Sequence, residues 1–162
     1  MNSLPENINV SSVLSKLVSR IPLHLCRGVD VVYVGKFKDL IDREVNAMFQ
    51  DGAIYVTNEQ DNNEDFLDDL VHEIAHAVEA EHPDIIFQDG KLFTEFMGKR
   101  KRLFDIMKSN GYNVDPIFKI KPEFDKEIDY FLYKQVGYEK LNMMTLGLFP
   151  SAYSSTSMSE YF

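Results

Sequence analysis

Residues 62–82 read Asn-Asn-Glu-Asp-Phe-Leu-Asp-Asp-Leu-Val-His-Glu-Ile-Ala-His-Ala-Val-Glu-Ala-Glu-His, and this stretch predicts one long amphipathic helix. Asn62 or Asn63 is a typical N-cap residue, because its side-chain oxygen can accept a hydrogen bond from a free N–H of the first turn. The two acidic residues that follow are stabilised by the positive end of the helix dipole. Pro83 predicts the end of the helix, because proline lacks the N–H that would continue the hydrogen-bond ladder.

The predicted helix divides into an apolar half and a polar half. Successive residues turn by about 100°, so side chains three or four positions apart share a face. The apolar half contains Phe66, Leu67, Leu70, Val71, Ile74, Ala75, Ala77 and Val78. The polar half contains Asp65, Asp68, Asp69, His72, His76 and Glu79, with Glu73 at its edge. We therefore expect the apolar half to pack on a core and both histidines to face away from it.

The polar half carries the pattern His-Glu-x-x-His at residues 72–76. His72 and His76 are four positions apart, so both imidazoles can bind one metal ion. Glu73 can reach a metal-bound water without competing for the metal, as a general base requires. Zn²⁺ is the expected ion, because three protein ligands leave one position where a water is acidified to a pKa of about 7. The structural alternative is that this half is only the solvated face of an amphipathic helix.

Two histidines do not complete such a site, and three residues are candidates for the third ligand. His82 extends the pattern to His-Glu-x-x-His-x-x-Glu-x-x-His, which resembles the metzincin peptidases. Their motif has glycine where this chain has Glu79, because the backbone turns sharply there. The same three-histidine spacing resembles a bacterial metal-dependent endoribonuclease family, which lacks the glutamate after its first histidine. Cys26 invites comparison with peptide deformylases, but the residues around it do not match their cysteine motif.

The third candidate is Glu160, which follows Tyr153 after six intervening residues near the end of the chain. The pairing of His-Glu-Ile-Ala-His-Ala-Val-Glu with this later tyrosine and Glu-Tyr-Phe resembles the catalytic domain of anthrax lethal factor and its phage or prophage relatives. The resemblance implies a zincin-like α+β metallopeptidase domain in which His72, His76 and Glu160 bind Zn²⁺. It also implies that Glu73 is the general base and that the Tyr153 hydroxyl donates to the developing oxyanion.

The function implied by the resemblance is a zinc-dependent endopeptidase, which hydrolyses a protein or peptide substrate with a zinc-bound water activated by Glu73. Glu79 is expected to accept a hydrogen bond from a metal ligand and so to orient it. Two other functions stay open. One is a catalytically inactive zincin-fold binding module of a phage or mobile element. The other is a metal-dependent ribonuclease, which would use His82 and the basic cluster at residues 98–102. Ser157 and Glu160 also fit an ordinary capping box.

The rest of the chain predicts a small N-terminal sheet followed by helices, which favours an α+β fold. Helices are expected over residues 8–20, 92–109 and 122–135 and from Ser157, and strands at Val29 to Val34, Val45 to Phe49 and Ala53 to Val56. Asp51-Gly52 predicts a tight hairpin turn between the last two strands. The segment over residues 136–156 is expected to be a loop. Ala53 to Val56 is either an edge strand that would receive an extended peptide or a core strand selected for packing.

Length and charge limit the classes of protein that fit. A chain of 162 residues suits one domain, and the resemblance implies that residues 1–162 form a single zincin-like domain. The net charge of −9 would repel nucleic-acid phosphates and anionic membrane surfaces, which favours a protein or peptide partner. The first ten residues carry neither a basic start nor an apolar run, so we predict no signal peptide and no membrane span. The expected location is the cytoplasm, with release only by a route that the sequence does not reveal.

Two further features need an interpretation. Gly98-Lys-Arg-Lys-Arg102 is the only basic cluster, and it falls inside a predicted helix, where we interpret it as a solvated face. Phe162 falls one turn into the helix of Glu160, and so short a helix is marginal without packing. We therefore expect the domain to be truncated at its C-terminus, with the natural protein continuing in an apolar face that anchors this helix.

Overall fold

A computed structural model describes residues 4–162 as a mixed α+β structure, with a three-stranded sheet and eight α-helices in that part of the chain. The chain divides into two compact units, Met1–His82 and Pro83–Phe162. The first unit contains the sheet and the His-Glu-x-x-His helix, and the second is helical. No helix of the described residues combines the length and the apolar character needed to cross a membrane.

The first unit places a three-stranded sheet beside two long helices. Its elements are α1 (Val10–Arg20), a 3₁₀ turn (Leu23–Cys26), β1 (Val31–Gly35), α2 (Lys38–Arg43), β2 (Ala47–Gln50), β3 (Ala53–Thr57) and α3 (Asn63–Glu81). The predicted first helix, the three strands and the His-Glu-x-x-His helix are all present. The short helix α2 was not predicted from the sequence.

The sheet has the order β1-β3-β2, with β1 parallel and β2 antiparallel to β3. Asp51 and Gly52 both have positive φ, 48° and 81°, as the type I′ turn of a tight hairpin requires. Of the two interpretations of Ala53 to Val56, the core strand is confirmed and the edge strand is wrong, because β1 pairs with the side of β3 that the hairpin leaves open. The backbone of β3 is therefore paired on both sides and cannot receive a peptide; the edges are β1 and β2.

The core of the first unit forms where the apolar half of α3 packs on α1 and the sheet. Its buried members are Ile8, Val13, Leu17, Ile54, Val56, Phe66, Leu67, Leu70 and Ile74. Asn62 caps α3 as predicted, because its side-chain oxygen accepts the N–H groups of Glu64 at 2.8 Å and Asp65 at 3.1 Å. The apolar periodicity of residues 66–74 thus identifies the buried face of α3 correctly.

The second unit is built from helices and short helical turns. Its elements are α4 (Pro83–Phe87), α5 (Lys91–Ser109), a 3₁₀ turn (Pro116–Lys119), α6 (Lys126–Tyr130), a π-helical continuation (Phe131–Val136), α7 (Tyr138–Thr145), a 3₁₀ turn (Tyr153–Ser155) and α8 (Met158–Tyr161). The expectation of a loop over residues 136–156 was wrong, because α7 occupies the first part of that segment. The helix predicted from Pro122 begins at Lys126, where the Asp125 side chain accepts N–H groups of the first turn.

Arg100 lies inside the second unit, which corrects the interpretation of residues 98–102 as a solvated face. Its exposed fraction is 0%, although Lys101 and Arg102 beside it are exposed. Around it the buried core consists of Phe96, Leu103, Phe104, Met107, Val114, Phe118, Ile128, Leu132, Val136, Leu141, Phe149 and Ala152. Arg100 can be buried because backbone carbonyl oxygens accept its N–H groups, and those partners are distant in the sequence.

The short helix α8 is held against α5 by the Tyr161 side chain. Its ring centroid lies 5.6 Å from that of Phe96 and 5.9 Å from that of Phe149. Its hydroxyl donates to Glu95 at 2.6 Å and accepts a hydrogen bond from Lys99. These contacts supply the packing that a four-residue helix needs.

Candidate metal centre

His72 and His76 bring two imidazole nitrogens together on α3. Their Nε2 atoms lie 3.2 Å apart, and their rings stand at 86° with centroids 4.7 Å apart. Both side chains are half-buried, on the side of the helix opposite to most of its apolar residues. The four-residue spacing predicted from the sequence therefore produces a close pair of nitrogen atoms that can face one ligand.

The distance between these nitrogens fits a zinc ion. Two imidazole nitrogens bound to one tetrahedral zinc, each about 2.0–2.1 Å from the metal, lie about 3.3 Å from one another. The observed separation of 3.2 Å agrees with that value. The side chains of His72 and His76 would therefore not need to move far to bind the ion.

Glu79 lies one turn beyond His76 and contacts the other nitrogen of its ring. The His76 Nδ1 atom is 3.3 Å from Glu79 Oε2, and both side chains are largely buried, with 20% and 18% exposed. A carboxylate at this position favours a hydrogen atom on Nδ1. In a neutral ring, Nε2 then carries the lone pair, which is the form that binds a metal.

Glu73 is buried, with 5% of the residue exposed, whereas the helical wheel placed it only at the edge of the polar half. Its Oε2 atom accepts the backbone N–H of Phe49 at 2.6 Å. Phe49 belongs to the edge strand β2, so its N–H can point away from β3 and toward α3. A charge-assisted hydrogen bond of this length fixes the direction of the carboxylate.

Asp69 is a further carboxylate near the histidines, and sequence reasoning gave it no role. It lies one turn before His72, and its Oδ2 accepts a hydrogen bond from Gln60 Nε2 at 2.8 Å. Burial raises the pKa of the Asp69 carboxyl, although the bond from Gln60 and the charge of His72 act in the opposite direction. The sequence signal for this closeness was the spacing of three residues between Asp69 and His72, which places both on one face of a helix.

His82 and Cys26, the other two ligand candidates, are not grouped with the histidine pair. His82 caps the C-terminal end of α3, is half-exposed, and lies 3.8 Å from Glu81. Cys26 is partly buried against the core of the first unit. Among the described residues, neither joins the histidines in a cluster with metal-ligand distances.

Tyr153 and Glu160 meet inside the second unit. The Tyr153 hydroxyl donates to Glu160 Oε1 at 3.3 Å, and both side chains are half-buried. The Ser157 hydroxyl oxygen accepts the N–H of Glu160 at 3.2 Å, so the predicted capping interaction is also present. The two residues that the sequence analysis paired through a motif are therefore neighbours in space.

Tyr138 packs beside this pair and was not predicted to be near it. Its ring centroid is 6.2 Å from that of Tyr153, and its hydroxyl donates to Asp129 Oδ1 at 2.8 Å. Burial raises the pKa of Tyr138, and the bond to Asp129 and the nearby Glu160 raise it further. Its hydroxyl therefore stays protonated at neutral pH.

Comparisons with known proteins give no relative from which a function for these residues can be inferred. No protein-family model, no curated protein and no solved structure matches this chain. What the fold and the residues define is a mixed α+β chain with a histidine pair, a buried carboxylate and a tyrosine–glutamate pair.

Proposed function

We propose that this chain is a zinc-dependent endopeptidase with a zincin-like fold, in which His72, His76 and Glu160 bind the metal. The observation that carries the proposal is the separation of 3.2 Å between the two histidine Nε2 atoms, with a carboxylate against the outer nitrogen of His76.

Glu160 is the third ligand in this proposal for two reasons. The alternatives His82 and Cys26 are not grouped with the histidine pair in the described part of the chain. The hydrogen bond from Tyr153 to Glu160 also joins the two residues that the lethal-factor resemblance assigns to one site. Two imidazoles and one carboxylate are a donor set typical of catalytic zinc, which keeps a fourth position open.

The proposed chemistry divides the work among four side chains. Bound zinc supplies Lewis acidity, which polarises a peptide carbonyl and lowers the pKa of a water molecule. The Glu73 carboxylate, held by the Phe49 N–H, takes a proton from the attacking water and gives it to the leaving amine. The Tyr153 hydroxyl donates a hydrogen bond to the carbonyl oxygen as negative charge develops on it. Glu79 accepts the Nδ1–H of His76, so that in the neutral ring the lone pair of Nε2 is on the side of His72.

Three observations favour the peptidase proposal over the ribonuclease alternative. The basic cluster that would face RNA includes Arg100, which is buried. His82, which a three-histidine site would require, lies at the C-terminal end of α3 and is not grouped with the histidine pair among the described residues. The net charge of −9 also disfavours a polyanionic substrate.

Hydrolysis of a peptide library by the wild type and by Glu73→Gln tests the proposal. Glutamine keeps an oxygen that can accept the Phe49 N–H but cannot take a proton, so kcat should fall about 10²- to 10⁴-fold. Zinc content should stay the same. Asp68→Asn removes an exposed carboxylate of the same helix and should leave hydrolysis unchanged. If the wild type binds zinc but cleaves no peptide, the peptidase proposal fails. The chain would then be interpreted as a zinc-binding module without catalytic activity.

A further inference from the structure

Arg100 is a buried cation that the proposed reaction does not use. It lies on α5 with an exposed fraction of 0%, and its guanidinium carbon is 5.1 Å from the ring centroid of Phe96 and 4.4 Å from that of Phe118. An apolar side chain of similar size could fill such a space at lower desolvation cost. The presence of a charge therefore requires a reason.

The reason lies in the hydrogen bonds of Arg100. Its Nε donates to the carbonyl oxygen of Ser155 at 3.2 Å, and one terminal nitrogen donates to that of Thr156 at 2.6 Å. The other terminal nitrogen donates to the carbonyl oxygen of Lys121. Burial lowers the pKa of Arg100 to about 10, so the guanidinium is still charged at neutral pH. One planar guanidinium group thus holds two successive carbonyl groups and a third from another segment.

Ser155 and Thr156 are two of the six residues that separate Tyr153 from Glu160. Both are fully buried, and they end the 3₁₀ turn that begins at Tyr153. The hydroxyl oxygen of Ser157 then accepts the N–H of Glu160 at the start of α8. The direction of this short turn therefore sets the distance between the Tyr153 hydroxyl and the Glu160 carboxylate.

The segment also has local hydrogen bonds, in which the Ser155 hydroxyl donates to the Ala152 carbonyl oxygen at 2.6 Å and the Thr156 hydroxyl to that of Tyr153 at 2.8 Å. These bonds join residues three positions apart, so they do not connect the segment to α5. A planar guanidinium donates in fixed directions, so it restricts the two carbonyl groups to one orientation. A second restraint is the N–H of Met158, which donates to the carbonyl oxygen of Pro122 at 2.8 Å.

We propose that Arg100 is the positioning residue of the tyrosine–glutamate pair: by binding the carbonyl oxygens of Ser155 and Thr156, it fixes the turn that brings Tyr153 to Glu160. This inference assigns a role to the only basic cluster of the sequence. The importance of Arg100 for catalysis rests on the proposed zinc peptidase function. Its effect on the conformation of the turn does not depend on that function. Lysine cannot replace Arg100, because a single ammonium group lacks the fork that spans both carbonyl oxygens.

Amide hydrogen exchange in the metal-free full-length chain tests the geometric part. The reporters are the amides of Thr156, Met158 and Glu160, whose partners are the Tyr153 carbonyl, the Pro122 carbonyl and the Ser157 hydroxyl oxygen. Arg100→Met and Arg100→Lys should each speed exchange at these amides at least tenfold relative to the middle of α5. Leu103→Ala is the matched control, because Leu103 is equally buried on the same helix but its side chain cannot bond a carbonyl group.

Each result decides for or against the positioning role. If Arg100→Lys, which keeps the charge, exchanges like Leu103→Ala at equal global stability, the proposal is overturned. Should Arg100→Met fail to fold, Arg100→Lys alone decides. With zinc added, Arg100→Lys should lower zinc affinity at least tenfold, and at saturating zinc it should lower kcat while leaving KM unchanged. A wild type that binds no zinc would end the proposed function, yet the exchange pattern would still decide the role of Arg100.

Discussion

His76 and Glu79 are joined by a contact of 3.3 Å between Nδ1 and Oε2, which leaves the other nitrogen of the His76 ring directed at His72. The carboxylate lies three residues after the histidine, so a single turn of α3 supplies both the ligand and its hydrogen-bond acceptor. Removing the Glu79 carboxylate should therefore weaken metal binding by His76 while leaving helix α3 folded.

Glu79→Ala should therefore lower zinc affinity about 10- to 100-fold, because the His76 ring loses the group that fixes its orientation and tautomer. Competition with a chromophoric chelator measures the effect. Glu81→Ala is the control, since Glu81 lies on the same helix but its carboxylate is near His82, at 3.8 Å, instead of His76. Equal zinc affinity in Glu79→Ala and Glu81→Ala would show that the His76–Glu79 contact has no role in metal binding.

Tyr153→Phe should lower kcat by about 10²-fold while leaving one zinc per chain, because the phenol is proposed to donate to the oxygen that gains charge. The substitution also removes the hydrogen bond to Glu160 but keeps the packing of the ring. Tyr130→Phe, at an exposed tyrosine of the same unit, is the matched control. A kcat equal to that of the wild type would exclude Tyr153 from the reaction.

The raised pKa of Tyr138 predicts that the free energy of unfolding falls at alkaline pH. Burial, and then the bond to Asp129, raise the pKa of Tyr138 in the folded chain above the value of about 10 for an unfolded tyrosine. Above pH 10 the folded state therefore holds more protons than the unfolded state. By linkage, the stability that Tyr138 contributes is fully present below pH 10 and is lost as the pH rises further.

Urea unfolding between pH 8 and about pH 11.5 measures this dependence. Tyr138→Phe should be less stable than the wild type by about 1 kcal/mol at pH 8, because it loses the bond to Asp129. Its free energy of unfolding should then fall less steeply above pH 10. Tyr133→Phe, which changes a half-exposed ring packed on Tyr138, should keep the wild-type slope. An identical slope in Tyr138→Phe would contradict the raised pKa.

Local sequence signals were sufficient to predict the helix that carries His72 and His76 and the hairpin of the sheet. The Asn62 cap, the apolar period of residues 66–74 and the Asp51-Gly52 turn act within a few residues, and the structure has α3 and the β2–β3 hairpin where these signals predict them. The closeness of His72 and His76 follows from the helical period alone. This part of the candidate site was readable because no distant residue is needed to build it.

The remaining features depend on contacts that the sequence does not encode locally. β3 is central because β1, about twenty residues earlier, pairs with its free side. Arg100 is buried because its acceptors lie about 20 and 55 residues away, which no helical wheel can represent. Glu73 is buried because the edge strand directs the Phe49 N–H toward it. α7 has no strong apolar period, and Leu146 at its C-terminal end is exposed, so that helix gave no signal.

The zinc content of the purified full-length chain tests the central proposal most directly. Elemental analysis of the wild type, Glu160→Ala and His82→Ala should find one zinc per chain in the wild type and in His82→Ala, and a large loss in Glu160→Ala. That result would support two histidines and one glutamate as the ligand set. A chain that loses its zinc with His82→Ala but keeps it with Glu160→Ala, or a wild type without zinc, would contradict the account.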